Sequence, residues 1–162
     1  AADYAAVSVS TDGGVTWSSV TSLSAFTGTA THAGLAYNPA TEKWLAFVSD
    51  AVDDTRVYES SDNGANFALK STITGSYFMG RSLACNGAVW TAVGFTSGIG
   101  PVIVTSTDDG ATWHRTAQGV SISGGDAAGV WGSPETGGLL ALGWKSGIYF
   151  SACVGTPNLG TL

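Results

Sequence analysis

An octet that recurs along the chain limits what it can fold into. Ser10-Thr11-Asp12-Gly13-Gly14-Val15-Thr16-Trp17, Ser60-Ser61-Asp62-Asn63-Gly64-Ala65-Asn66-Phe67 and Ser106-Thr107-Asp108-Asp109-Gly110-Ala111-Thr112-Trp113 share the pattern S-x-D-x-G-x-x-(W/F). The copies begin 50 and 46 residues apart, and self-similarity at such a period marks a chain built from repeated supersecondary units. A further step of 45 reaches Ser151-Ala152-Cys153-Val154-Gly155, which keeps the Ser and the Gly, has Cys in place of Asp and places Asn158 at the aromatic position. This segment reads as a decayed fourth copy.

The octet describes a hairpin that carries its own pin. An apolar alternating run precedes each intact copy (Tyr4–Val9, Arg56–Ser60, Val102–Thr105), so the chain enters as a strand and must reverse. Asp accepts hydrogen bonds from backbone N–H groups of its own turn and closes it. Gly two residues later supplies a positive φ that other residues resist. The aromatic residue opens the return strand and packs over the turn.

Between the octets the sequence alternates as strands do. Ala33–Tyr37 and Trp44–Val48 flank Asn38-Pro39-Ala40-Thr41, Ser82–Cys85 and Val89–Phe95 flank Asn86-Gly87, and Gly129–Gly132 and Leu139–Trp144 flank Pro134-Glu135-Thr136-Gly137. A third strand follows in each unit: Thr55–Ser60, Pro101–Ser106 and Gly147–Ser151. No stretch has a 3.6-residue period, so the chain is expected to be all-β without significant helix. Its 162 residues, 44% hydrophobic and 11% charged, suit a single folded domain with a sizeable core.

The octet resembles the Asp-box, or BNR repeat, of sialidase-like β-propellers. The resemblance implies four-stranded antiparallel blades, with the box joining the third and fourth strands. It implies little about activity, since sialidases, other glycosidases, lectin-like modules and non-catalytic proteins share it. On this template residues 4–20 are half a blade, 33–71 and 81–117 are full blades, and 127–162 are a blade with a doubtful last strand. About three and a half blades result, whereas closed propellers have four to eight. Three arrangements answer the shortfall: a fragment whose other blades lie elsewhere in a parent protein, identical chains completing a ring, or edges capped by another protein. The second and third are favoured, because uncapped strand edges invite association. The chain starts at Ala1 without Met or a leader pattern, as expected of a mature, processed or trimmed polypeptide.

The resemblance also separates two ends of the fold. Ser10, Asp12, Gly14 and Trp17, Ser60, Asp62, Gly64 and Phe67, and Ser106, Asp108, Gly110 and Trp113 form the turns on one face. His32, Asp50, Asp53, Asp54, Tyr77, Phe78, Arg81, Asp126 and Lys145 fall on the opposite face, where propeller ligands commonly bind. Of these, Tyr77-Phe78-Met79 is an aromatic run in a connection where burial is not demanded, suited to contact with a sugar or a protein neighbour.

Catalytic readings are poorly supported. A sialidase needs an arginine triad, a Tyr–Glu pair and an acid Asp. The arginines here are Arg56, Arg81 and Arg115, Arg115 follows a box aromatic at the wrong end, and Glu42 and Glu135 lie in turns on the box face. A glycosidase pairing Asp53 or Asp54 with Asp126 lacks anything to raise one pKa. Asp50, Asp53 and Asp54 could offer oxygens to calcium, but their spacing is not that of a helix–loop–helix calcium loop and a solvated acidic turn is the favoured reading. His32 and His114 belong to different positions, and no nucleophile–base set surrounds either. Cys85 and Cys153 form no metal motif and read as separate buried thiols. Trp44, Trp90, Trp131 and Trp144 fall in strands and are expected to pack in the core.

Six basic residues against twelve acidic ones give a net charge of −6, without the cationic stripe that nucleic acid demands. No apolar run approaches the roughly 18 residues of a membrane span. A surface of Ser, Thr, Gly and Ala is commoner in extracellular or virion β proteins. The expectation is a non-catalytic structural or binding module, such as a phage tail or head-surface component, with no cofactor. It would associate with itself, with neighbouring structural proteins or with glycans. The alternatives are an oligomeric carbohydrate-binding lectin and a fragment of an Asp-box glycoside hydrolase.

Overall fold

The computed structural model describes residues 6–23, 30–50, 54–74, 78–96, 100–115, 126–145 and 148–154. These are all β, without helix, and form four antiparallel sheets in which each strand pairs only with its neighbours in sequence. The first sheet holds β1 (Ala6–Val9) and β2 (Ser18–Ser22). The second holds β3 (Ala30–Asn38), β4 (Lys43–Asp50), β5 (Thr55–Ser60) and β6 (Ala68–Ile73). The third holds β7 (Phe78–Cys85), β8 (Trp90–Thr96), β9 (Gly100–Ser106) and β10 (His114–Arg115). The fourth holds β11 (Asp126–Ser133), β12 (Gly138–Lys145) and β13 (Ile148–Val154). The boxes link β1 to β2, β5 to β6 and β9 to β10, so in both four-stranded sheets they join the third strand to the fourth.

Each first strand begins earlier than the alternation predicts. β3, β7 and β11 all carry a bulge in their first half, between Ala30 and His32, Gly80 and Ser82, and Ala127 and Gly129. An extra residue breaks the two-residue period that reveals a strand, which hides the residues before it. Phe78 and Met79 are therefore not in a connection. They open β7, in register with Thr96 and Phe95.

The expected fourth box is also displaced. Trp44 pairs with Ser60 and Trp90 with Ser106, the first residue of each box, but the corresponding Leu139 pairs with Val154. Ser151 pairs with Leu142 inside β13, so residues 151–154 continue a strand and make no turn.

The sheets stack face to face in chain order. Leu23, Ala46, Val48, Tyr58 and Phe67, with Val7 and Trp44 against them, fill the space between the first two. Leu45, Phe47 and Val57 of the second sheet pack on Leu83, Cys85, Trp90, Ala92 and Val104 of the third. Val93 and Ile103 meet Val130 of the fourth. Burial of this kind supplies the main drive for folding, at about 25 cal/mol per Å² of apolar surface.

Close approach at these junctions depends on glycine. The buried Phe47 ring lies between Gly34 and Gly80, where a Cβ would come 2.6 and 2.7 Å from ring carbons. A Cβ on Gly132 would stand 2.4 Å from the Cys85 carbonyl oxygen, so the fourth sheet approaches the third backbone to backbone. Cys85 itself is a buried free thiol, whose pKa burial pushes up.

Buried polar groups bridge the sheets as well. Gly80 N–H donates to Ser49 Oγ at 2.8 Å, and Val130 N–H to Ser82 Oγ at 3.1 Å. Asn38 Nδ2 donates to the carbonyl of Gly87 in the next sheet at 3.4 Å, and Asn86 Nδ2 repeats this toward Gly137 at 2.8 Å. The same position in the fourth sheet is Ser133, whose hydroxyl serves its own turn by accepting from Thr136 N–H.

The strand tryptophans do not share one fate. Trp90 is buried and Trp44 half-buried, but Trp131 is 64% exposed. Trp131 lies on the far face of the last sheet, where it lines a cavity of about 500 Å³ with Pro39, Pro134 and Glu135.

Candidate functional site: the box turns and the spaces between sheets

Each box is a closed hydrogen-bond circuit built around four residues. In the third copy Ser106 Oγ donates to Asp108 Oδ1 at 2.7 Å and accepts the Gly110 N–H at 2.9 Å. The Asp108 carboxylate also accepts the Thr112 N–H at 2.9 Å and the Thr112 hydroxyl at 2.6 Å. The second copy repeats this with Asn66 giving its backbone N–H and its Nδ2 to Asp62, at 2.9 and 2.7 Å. In the first copy Asp12 takes Ser10 Oγ, Val15 N–H and both the N–H and hydroxyl of Thr16.

Thr16, Asn66 and Thr112 are thus working members of the box that sequence reading left unassigned. The signal was available, since each carries a side-chain donor four residues after the Asp. Ser10, Ser60 and Ser106 also have a role beyond the pattern, each ordering the Asp while binding the glycine N–H.

Backbone geometry explains the glycines. Gly14, Gly64 and Gly110 have φ of 90°, 84° and 80°. The preceding residue is left-handed as well, at 73° in Gly13 and 57° in Asn63 and Asp109, and Asn and Asp tolerate this region best among the non-glycines.

So many donors stabilise the anion. Hydrogen bonds from the side chain and then the backbone of Thr16 hold Asp12 down to about 2, and those of Asn66 hold Asp62 to about 2. Asp108 lies lower still, for the same reason at Thr112. A carboxylate so committed is poorly suited to proton transfer near neutral pH or to taking a metal ion.

The fourth box position ties the turn to its surroundings. Trp44 Nε1 donates to Asn63 Oδ1 at 3.4 Å, and Trp90 Nε1 to Asp109 Oδ1 at 3.2 Å. Lys43 reaches from the second sheet to Asp109 at 3.0 Å and to Glu59 at 3.4 Å, and Lys70 meets Glu59 at 2.8 Å. Partial burial tends to raise the Asp109 pKa, but the Lys43 and Trp90 hydrogen bonds outweigh it and hold the group low. The Asp109 hydrogen bond correspondingly raises Lys43.

On the opposite face the structure brings together two of the candidate residues. His32 in β3 and Arg81 in β7 come from adjacent sheets and meet through His32 Nε2 and Arg81 Nη1, while His32 Nδ1 lies 3.1 Å from Thr31 Oγ1. Asp54 is exposed just before β5. Asp126 opens β11 opposite Trp144, and Lys145 closes β12 opposite Ile148. Asp53 and Tyr77 lie outside the described residues, as do the side chains of Asp50, Phe78, Asp126 and Lys145. Among the described residues no three His, Cys, Asp or Glu side chains are placed to hold a metal ion.

Two cavities lie between the first and second sheets, and another of about 500 Å³ is lined by Pro39, Trp131, Gly132, Ser133, Pro134 and Glu135. Of the first two, one of about 330 Å³ is lined by Val7, Leu23, Ala33, Leu35, Ala46 and Val48 among others, with no ionisable group among the described residues of its wall. A second of about 230 Å³ adjoins Trp17, Leu35, Trp44 and Phe67. The described walls of these two are mainly apolar; Ser8 and Ser10 bring hydroxyls to them, and none of their described residues is an acid or a histidine.

The comparison with known families agrees with the geometry of the turns. Residues 8–19 match the BNR/Asp-box repeat model, a span that contains the whole first octet. No curated protein matches the chain. Asp-box repeats occur in enzymes and in non-enzymes alike. With the same circuit of hydrogen bonds built three times, and the family model matching the first of them, the chain is a carrier of the Asp-box (BNR) repeat.

Proposed function

We propose that the protein is a non-catalytic, propeller-like structural module of a larger extracellular or virion assembly, which works by surface contact with glycans or neighbouring proteins. The observation that carries this reading is the saturation of the box carboxylates. The three repeated acids, the most distinctive chemistry in the chain, are each spent on their own turn. The repeats thus serve to build a scaffold.

The radial form has its own support. Across sheets the closest neighbours are the first strands, β3 beside β7 and β7 beside β11. Sheets that approach most closely along their first strands fan outward from them, as blades do around an axis. The large exposed aromatic Trp131 and the apolar cavities suit contact better than chemistry.

A panel of chromogenic glycosides and a glycan array, both run on the full chain, test the reading. Binding without turnover, or neither, is the expected result. Turnover that is lost in Asp54→Asn or Arg81→Ala, with the thermal midpoint unchanged, would overturn it.

A further inference from the structure

Every junction in the stack joins the forward face of one sheet to the rear face of the next. The register identifies equivalent positions on these faces. Leu35 pairs with Ala46 as Leu83 pairs with Ala92, and Tyr37 pairs with Trp44 as Cys85 pairs with Trp90. On the third sheet this rear face is closed, with Leu83 and Cys85 only 5% and 4% exposed. On the second sheet it is open at β3: Leu35 is 45% and Tyr37 39% exposed. The cause lies in the layer behind. The first sheet has only β1 and β2, so among the described residues β3 is faced from the rear only across a gap, the 330 Å³ cavity that separates Ala33 and Leu35 from Val7 and Leu23.

The other end of the stack has the complementary surplus. Trp131 pairs with Leu140 as Ala36 pairs with Leu45 and Ala84 with Thr91. At the two inner junctions this forward position is a small alanine, which lets the next sheet approach. At the last sheet it is a tryptophan, 64% exposed beside a 47% exposed Leu140. A tryptophan there is too large for the tight junction made inside the chain, but it suits a gap with an unfilled apolar cavity.

We infer that copies of this chain associate head to tail, the Trp131–Leu140 face of one copy seating on the Leu35–Tyr37 face and its cavity in the next. The inference rests on the structural-module reading above and names that module's partner as a second copy. It continues the forward-to-rear junctions already present in the chain. Such an interface is heterologous, so it closes into a ring or propagates as a filament according to its rotation.

Native mass spectrometry and light scattering of the full chain test the inference. The wild type is expected above monomer mass. Trp131→Glu and Leu35→Glu, with thermal midpoints near that of wild type, are each expected to be monomeric. Mixed one to one they retain a single sound interface, a Leu35-bearing face of one with a Trp131-bearing face of the other, and are expected to stop at a dimer. A monomeric wild type at about 100 µM, or association unaffected by either substitution, would overturn the inference. So would a mixture of folded variants that stays monomeric. Each of those results leaves the structural-module reading standing, because that reading fails on glycoside turnover and not on mass.

Discussion

The first and third boxes are almost the same in sequence and very different in their surroundings. Both hold their Asp with a Ser hydroxyl and with the backbone and side chain of a Thr, and both tuck a Trp Nε1 against the box glycine carbonyl at 3.1 Å. Gly110, however, lies against Leu45 of the second sheet, and Asp109 beside it binds Lys43 and Trp90. A Cβ on Gly14 would meet only its own Trp17 within 4 Å, Gly13 has no side chain to offer, and Trp17 is 65% exposed. The turn therefore forms from local hydrogen bonds alone, while its contribution to the stack depends on a neighbour. The second box falls with the third: Gly64 rests on Val9 of the sheet before it, and Phe67 is buried.

The largest test of this contrast is the glycine. Alanine at Gly110 meets both a left-handed backbone and Leu45 Cδ1 at 2.6 Å, for an expected loss of roughly 2–4 kcal/mol. Alanine at Gly14 meets the backbone strain alone, about 1 kcal/mol. Urea unfolding measures both, and equal losses would show that box 3 gains nothing from its neighbour. Next come the aromatics. Trp113→Ala removes a half-buried ring packed on the core and should cost about 2 kcal/mol, whereas Trp17→Ala should stay within about 0.5 kcal/mol.

Acid should act on the boxes together, because it addresses what they share. The folded-state pKa values of Asp12 and Asp62 lie near 2, below the ordinary 3.8. A depressed folded value stabilises the fold above the unfolded pKa, and that stabilisation fades as pH falls from about 4 toward 2. The thermal midpoint should drop through that window and be insensitive to these groups above pH 5. Asp12→Asn and Asp108→Asn should each flatten the drop. A modest effect belongs to Lys43→Met, which breaks the partly exposed bridges to Asp109 and Glu59. It should cost about 0.5–1 kcal/mol in dilute buffer and less in 1 M salt, leaving box 1 untouched.

Much of this architecture was legible because its causes are local. The Ser, Asp, Gly and aromatic of each box act within eight residues, and the hairpins around Asn38 and Asn86 announce themselves by alternation around a turn. The bulges in β3, β7 and β11 were not legible, since an extra residue leaves no mark in composition. Phe78 and Ser151 were misplaced on that account and through the displaced register of β13. His32 and Arg81 lie 49 residues apart, and their meeting depends on how two sheets align.

The chain alone determined that it would be β throughout and that it would turn at Asp12, Asp62 and Asp108, because a carboxylate surrounded by its own turn's donors needs no distant partner. Only the tertiary structure decided which of these equivalent units would be covered. Asn38 and Asn86 use their side-chain amides to reach the following sheet, and Gly34, Gly80 and Gly132 are small because another sheet arrives. Trp17 and Trp131 lie largely exposed in the first and last sheets of the stack, because burial depends on how closely a neighbouring layer packs against a face, and theirs border open cavities.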